Sequence, residues 1–277
     1  MAGPTLTVDL TALPRVEVFV PAGIVPAGTA RLRMYRFSEG RTWLVRGGVD
    51  VPPNTAALDW EAPFGVVSTY RAECFDGSGV SLGFTDTASV TVGVTDVWVH
   101  DPLYPTVGVN LGPAGLLGIT ASRNVRPNPG SMTVPEGASV GAWVGQKRRG
   151  VDQMPVGLAV TSVADMDALQ AMLGGYESDR VGVLCIRTPP PARIPRTFFA
   201  AVEDPSEQDR DVSWGGQRTD FVFTATEAKP PFPGLVTPLL RYKDLDASFA
   251  TYAAMDAGYA TYTLRDRDYA KAGVGGP

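Results

Sequence analysis

Histidine is nearly absent. His100 is the only one in 277 residues, so no histidine-rich metal site can be assembled, and any Ser-His or Cys-His couple would have to run through this one side chain. Cysteine is almost as scarce. Cys74 and Cys185 are the only two, which excludes a disulfide framework and a cysteine-rich zinc site; both sit in apolar, strand-like segments and read as buried thiols. Cations are in deficit, with Lys+Arg 24 against Asp+Glu 29 and a formal charge of -5. The chain therefore lacks the basic excess that binds a phosphate backbone, and nucleic acid is not an expected partner. Long apolar runs are missing as well: the clean run Val183-Leu184-Cys185-Ile186 is far short of the roughly 18 residues of a membrane span. The opening MAGPTLTVDL has neither a basic nor an apolar leader region, so the expectation is a protein made without a secretory signal and without a membrane span.

Glycine and proline are abundant, at 31 and 24 residues, while hydrophobic residues hold at 44%. That combination describes a folded, turn-rich chain of many short strands, and its length suits about two domains. Residues 1–96 are the expected first domain, and over 14–95 polar and apolar positions alternate with the period of half-buried strands. Val16, Val18 and Val20 alternate with Arg15, Glu17 and Phe19, and Ala30, Leu32 and Met34 with Arg31, Arg33 and Tyr35. Further segments follow at 42–45, 56–60, 66–75, 80–84 and 87–94, with turn signals at Ser38-Glu39-Gly40, Gly47-Gly48, Pro52-Pro53-Asn54 and Asp76-Gly77-Ser78-Gly79. Such spacing predicts a small antiparallel sandwich.

A second block, 97–230, carries strand-like segments at 106–111, 140–145, 154–161, 181–187, 197–203 and 221–226. One helix interrupts them. Ser162 is placed to cap it by accepting from the Asp165 amide, Val163, Met166, Leu169, Met172 and Leu173 form its apolar stripe, and Gly174-Gly175 ends it. Two Pro/Gly-rich stretches, 112–137 and 189–195, are too long and too rich in breakers for hairpin turns and read as arms or contact loops. They also favour an oligomer, because a neighbour would order them.

Residues 231–277 begin with a stiff proline linker and continue in a ten-residue repeat: Tyr242 to Ala250, Tyr252 to Ala260 and Tyr262 to Ala270 align with Tyr, Asp, aromatic and Ala in register. Apolar positions at i, i+3 and i+7 make each decad a short amphipathic helical turn. One straight helix is excluded, since ten residues at about 100° each leave the stripe about 80° short of a whole turn at every repeat. Tyr242, Leu245, Phe249, Tyr252, Met255, Tyr259, Tyr262 and Tyr269 are the candidate partner-docking residues.

The candidate chemistry is thin. Gly77, Gly79 and Gly83 approach the spacing of a phosphate loop, but a strand follows where the fingerprint needs a helix, so they read as a hairpin. Asp209 with Asp211 and Asp165 with Asp167 are too close in sequence to be more than solvated pairs. The tail aspartates lack a calcium-loop pattern and read as caps or solvated groups. His100 lacks any accompanying nucleophile motif. No catalytic residue, metal ligand or cofactor is expected. Lys147, Arg148 and Arg149 form the one sharp cationic cluster, which reads either as a solvated hairpin tip or as a contact with an acidic neighbouring subunit. Trp43, Trp60, Trp98, Trp143 and Trp214 are core or interface residues, or include a sugar-stacking platform if one is exposed.

Tyr70 to Gly79, followed by 80–84 and 88–92, resembles the last hairpin of fibronectin type III domains, in which a tyrosine opens the penultimate strand, and this resemblance marks the first sandwich as immunoglobulin-like. The segment Val97-Trp-Val-His-Asp-Pro102, the helix 163–173, Arg187-Thr-Pro189 and the closing 221–230 are similar to the β-sandwich of distal-tail proteins, a galectin-like sandwich with one helix. Together with the decad tail, these features resemble the minor tail proteins of long-tailed bacteriophages of actinobacteria. The resemblance implies a mostly β fold of two antiparallel sandwiches plus a tail of short helical turns. It implies a structural virion protein of the tail tip or baseplate, made in the host cytoplasm, forming or decorating a ring around the tail axis as a homo-oligomer. Its partners would be the tail tube, the baseplate hub and the end of the tape measure, with a host-surface glycan as the alternative target.

Overall fold

The computed structural model describes residues 2–174, 182–230, 240, 242–266, 268 and 271. It is mostly β, with antiparallel sheets and short helices. Gly175, Val181, Tyr269, the linker residues 231–234 and the Trp214 side chain lie outside what is described.

The first sandwich contains β1 (Thr5–Asp9), β2 (Arg15–Val20), β3 (Arg31–Ser38), β4 (Arg41–Val51), β5 (Thr55–Asp59), β6 (Val67–Phe75), β7 (Ser81–Phe84) and β8 (Ala88–Thr91). One sheet has the order β1-β2-β5 and the other β4-β3-β6-β7, with β8 also pairing β6, the two-sheet arrangement of immunoglobulin-like sandwiches. Alternation does the work: Val16, Val18 and Val20 from one sheet meet Leu32, Met34, Tyr70, Ala72 and Cys74 from the other in one buried cluster. β7 and β8 occupy successive halves of β6. Between them Thr85 holds the line, its amide donating to the Ala72 carbonyl and its hydroxyl accepting from the Ala72 amide.

Two details differ from expectation. β1 was not anticipated, although Leu6 and Val8 carry the alternation. Gly47-Gly48 is not a turn but lies within β4, where the pairing register with β3 slips. Gly47 takes φ +77°, and a Cβ on Gly48 would come within 3.0 Å of the Met34 side chain, so both glycines serve a bulge.

The second block contains β9 (Val97–His100), β10 (Gly108–Gly112), β11 (Gly130–Thr133), β12 (Ala142–Gly145), β13 (Met154–Val160), α1 (Val163–Leu173), β14 (Val183–Arg187), β15 (Thr197–Asp209) and β16 (Thr219–Glu227). Six of the strands form one antiparallel sheet, β10-β9-β14-β15-β16-β13. One face carries Val99, Leu158, Leu184, Ile186, Phe198 and Phe221, and it is closed by α1 and the loop around Leu116. β14 is buried from Leu184 through Arg187, so its other face is covered too.

In α1 Ser162 occupies the cap position but its side chain makes no capping bond. The backbone carbonyl of Ser162 accepts from Met166 instead. Val163 points out at 58% exposure, and the packed stripe is Met166, Leu169, Met172 and Leu173. Among the described residues β11 and β12 pair only with each other, apart from the large sheet.

Three short helices follow in the tail: α2 (Tyr242–Ser248), α3 (Tyr252–Gly258) and α4 (Tyr262–Asp266). They are separate turns at the decad period, as the angular argument requires.

Candidate functional site

The covered face of the large sheet forms a seam with the first sandwich. His100, Cys185 and Phe199 stand in one cross-strand row, and Trp98, Arg187 and Thr197 in the next, so period two aims all six the same way. Arg187 is fully buried and reaches across: its Nη1 donates to the Pro14 carbonyl at 2.7 Å and the Ala62 carbonyl at 3.3 Å, and its guanidinium lies 4.4 Å from the Phe64 ring centroid. Burial pulls its pKa down to about 10. The Thr197 hydroxyl donates to the Glu61 carbonyl at 2.8 Å, and the Trp43 and Phe199 rings approach at 6.2 Å.

Behind the seam lies a buried ionic cluster. Arg36 Nη1 contacts both Asp59 carboxylate oxygens at 2.6 Å, and the Tyr70 hydroxyl donates to the same carboxylate at 2.8 Å. Arg46 pairs with Glu61. His100 is fully buried with neither ring nitrogen hydrogen-bonded; burial first, then the charges of Arg187 and Arg46, hold its pKa well below the ordinary value. Burial likewise pushes the Cys185 thiol far up, which leaves it unreactive at neutral pH. The ion pairs lie within the first sandwich, and Arg187 and Thr197 are the clasp that fastens the second block over them. At its edge Tyr35, Trp43, Arg46, Glu61 and Pro230 line a cleft of about 370 Å³.

The expected surface features are distributed differently. Lys147, Arg148 and Arg149 are exposed, but they are not a hairpin tip. They follow β12 on the returning limb, where the Arg149 amide donates to the Pro127 carbonyl; the tip is the 134–141 segment between β11 and β12. The signal missed was the apolar alternation of Met132 and Val134, hidden inside a stretch rich in proline and glycine.

In the tail the seven docking candidates among the described residues separate into two sets. Leu245 and Met255 are buried at 4% each, and Phe249 and Tyr259 meet edge to face at 5.7 Å. Tyr242, Tyr252 and Tyr262 stand outside at 69%, 64% and 70% exposure. α3 and α4 are capped by threonine rather than aspartate: Thr251 Oγ1 accepts from the Ala254 amide and Thr261 Oγ1 from the Leu264 amide. Asp244 is buried at 1%. Two clefts, of about 170 and 310 Å³, open between successive helices and are lined by residues that correspond at ten-residue offsets, Leu245 with Met255 and Tyr252 with Tyr262 among them.

The remaining candidates hold local structure. Asp209 accepts from the Thr219 hydroxyl and Asp211 from the Arg218 amide, both fastening the end of the β15–β16 hairpin. Asp76 accepts three bonds from Ser78 and Val80 in the turn that the Gly77-x-Gly79 spacing marked. Trp60 is buried under Arg15, Trp98 packs against the core, and Trp143 is 53% exposed. Among the described residues no cluster of three His, Cys, Asp or Glu side chains is placed to hold a metal ion, and no helix is long and apolar enough to cross a membrane. No protein-family model matches the chain, and neither do any curated proteins or solved structures.

Proposed function

We propose that this protein is a structural component of a bacteriophage tail tip or baseplate, forming or decorating the distal tail ring through protein contacts and carried in the virion. The observation that carries the reading is the division of labour along the chain. Buried bonds from Arg187 and Thr197 fasten two β-rich blocks together, while the surfaces left over, the β11–β12 ribbon and the decad tail, offer aromatic, apolar and charged groups suited to protein contact. The sequence resemblance to minor tail proteins supports the same reading, as do the ring and tail-tube partners it implies.

Mass spectrometry of purified particles, followed by a reconstruction of the tail tip, tests it. The expected result is this chain at fixed stoichiometry with density at the tip. Its absence from particles that contain the other tail proteins would overturn the proposal.

A second reading, host-glycan binding, is favoured by the cleft beside the seam, where Trp43 and Tyr35 supply aromatic walls and Arg46 and Glu61 supply polar groups. A saturable change in tryptophan fluorescence on titration with cell-wall oligosaccharides, abolished by Trp43→Ala, is its expected signature. A flat titration rejects it.

A further inference from the structure

We propose that the β11–β12 ribbon of one copy docks on the tyrosine ladder of the decad tail of a second copy. This deepens the assembly reading above and rests on it.

Among the described residues the ribbon pairs with no other strand. Its eight paired residues are all exposed, and a two-stranded ribbon with nothing beneath it is marginal in water. One of its faces is built as a platform. Gly130, Met132 and Val134 on one side oppose Gly141, Trp143 and Gly145 on the other, following the pairing of Met132 with Trp143. A Cβ on Gly130 or Gly145 would fall 2.5 Å from the Trp143 ring, and one on Gly141 would fall 2.8 Å from the Met132 side chain. The glycines therefore let the large side chains lie flat across the ribbon, and Met132, Val134 and Trp143 remain 60%, 59% and 53% exposed.

Charge selects the occupant. Between residues 122 and 150 there are five cations and one carboxylate, for a net +4, which leaves 19 cations against 28 carboxylates, net -9, in the rest of the same chain. Another copy is thus an electrostatic match for the ribbon. The matching strip is the 242–262 part of the decad tail, which holds three carboxylates against one cation and where Tyr242, Tyr252 and Tyr262 recur with Asp246 and Asp256, all exposed and in register. Ribbon and ladder are both solvent-exposed in the single chain, so they do not satisfy one another there. Ribbon of one copy on ladder of the next is a heterologous contact, which propagates head to tail and closes into a ring when the rotation permits.

The test is sedimentation of the full-length protein over a concentration series, with two charge-reversed variants. One is Lys147→Glu/Arg148→Glu/Arg149→Glu and the other Asp246→Lys/Asp256→Lys; all five sites are exposed, and circular dichroism melts check that each variant folds. Expected are self-association of the wild type that weakens with salt, a loss of about tenfold or more in association constant for either variant alone, and recovery of association when the two are mixed, because the acidic ribbon then meets a basic ladder. Trp143→Ala in the wild-type background should weaken association without changing its salt dependence. A wild type that stays monomeric, reversals that leave association unchanged, or a mixture that fails to recover would each overturn the contact. Presence in particles is measured separately, so a chain found at the tail tip but indifferent to these reversals loses this contact and keeps the assembly reading.

Discussion

Arg187 Nη1 donates to the carbonyl of Pro14 at 2.7 Å, a bond between residues 173 positions apart. It joins a strand of the large sheet to the approach of β2, and the same guanidinium covers Phe64. The hydrophobic clusters on either side are otherwise distinct, one confined to residues 97–225 and one centred on residues 16–92. The clasp, together with Trp98 packed against the first sandwich's clusters, is therefore where the two blocks share stability.

Arg187→Met keeps the apolar stem but strands two buried carbonyls. Hydrogen bonds to a charged donor contribute about 1.5–3 kcal/mol, and orphaned acceptors add to the loss. We expect destabilisation of about 3 kcal/mol, with a wild type that unfolds in one calorimetric transition and a variant that unfolds in two. A variant that still unfolds in one step at an unchanged temperature would contradict the clasp.

Residues 1–96 expressed alone should melt cooperatively, because the cluster from Val16 to Val92 lies wholly within them. The midpoint should lie below that of the full chain, since Phe64, Glu61 and Arg46 then lose their cover. An unfolded fragment would mean that the first sandwich depends on the second block for its core.

Much of this architecture was legible. Period-two alternation marked β2, β3 and β6, and breaker pairs marked most of the turns, because each is a local property of the chain. The seam was not. Nothing local distinguishes Arg187 from a solvated strand-end arginine, and its partners Pro14 and Ala62 become neighbours only when two blocks pack. The same limit applies to the tail, where hydrophobic periodicity grouped Tyr242 with Leu245 although packing separates them, and where helices of five to seven residues turn after each cap.

His100 should make the fold acid-sensitive. Its folded-state pKa lies below the ordinary value of about 6.5. Above that value the side chain is neutral in both states; as pH falls below it, the unfolded chain takes up a proton that the seam, with Arg187, Arg46 and Cys185 around the imidazole, rejects. Stability should drop by up to about 1.4 kcal/mol per pH unit over this range. His100→Phe removes two unsatisfied nitrogens and the proton, so it should leave stability at pH 7.5 equal or higher and flatten the profile between about pH 6.5 and 5. A variant with the wild-type acid profile would assign that slope to other groups.

Asp59 anchors three donors: Arg36, the Tyr70 hydroxyl and the Glu61 amide. Asp59→Asn leaves Arg36 buried without its counter-charge and should cost about 3–5 kcal/mol. Tyr70→Phe removes one bond to a charged acceptor and should cost about 1.5–3 kcal/mol. Denaturant titrations should preserve that order; a milder effect for Asp59→Asn would show that Arg36 finds solvent.

The tail offers the sharpest contrast, because its repeat places chemically similar residues in opposite environments. Met255 is buried between neighbouring turns while Tyr252, three residues earlier, stands 64% exposed. Met255→Asp should therefore unstack α2, α3 and α4, since a carboxylate in that position lacks water and a partner. It should also remove the Phe249–Tyr259 contact, read as a change in aromatic chemical shifts. Tyr252→Ala should leave those shifts and the helical signal intact, altering only what the ladder touches. Deleting residues 235–277 should leave the melting of the remainder near that of the full chain while lowering incorporation into particles. If Met255→Asp and Tyr252→Ala behaved alike, the decads would not be a stack with an inside and an outside. If the truncated chain entered particles normally, the tail would have no docking role.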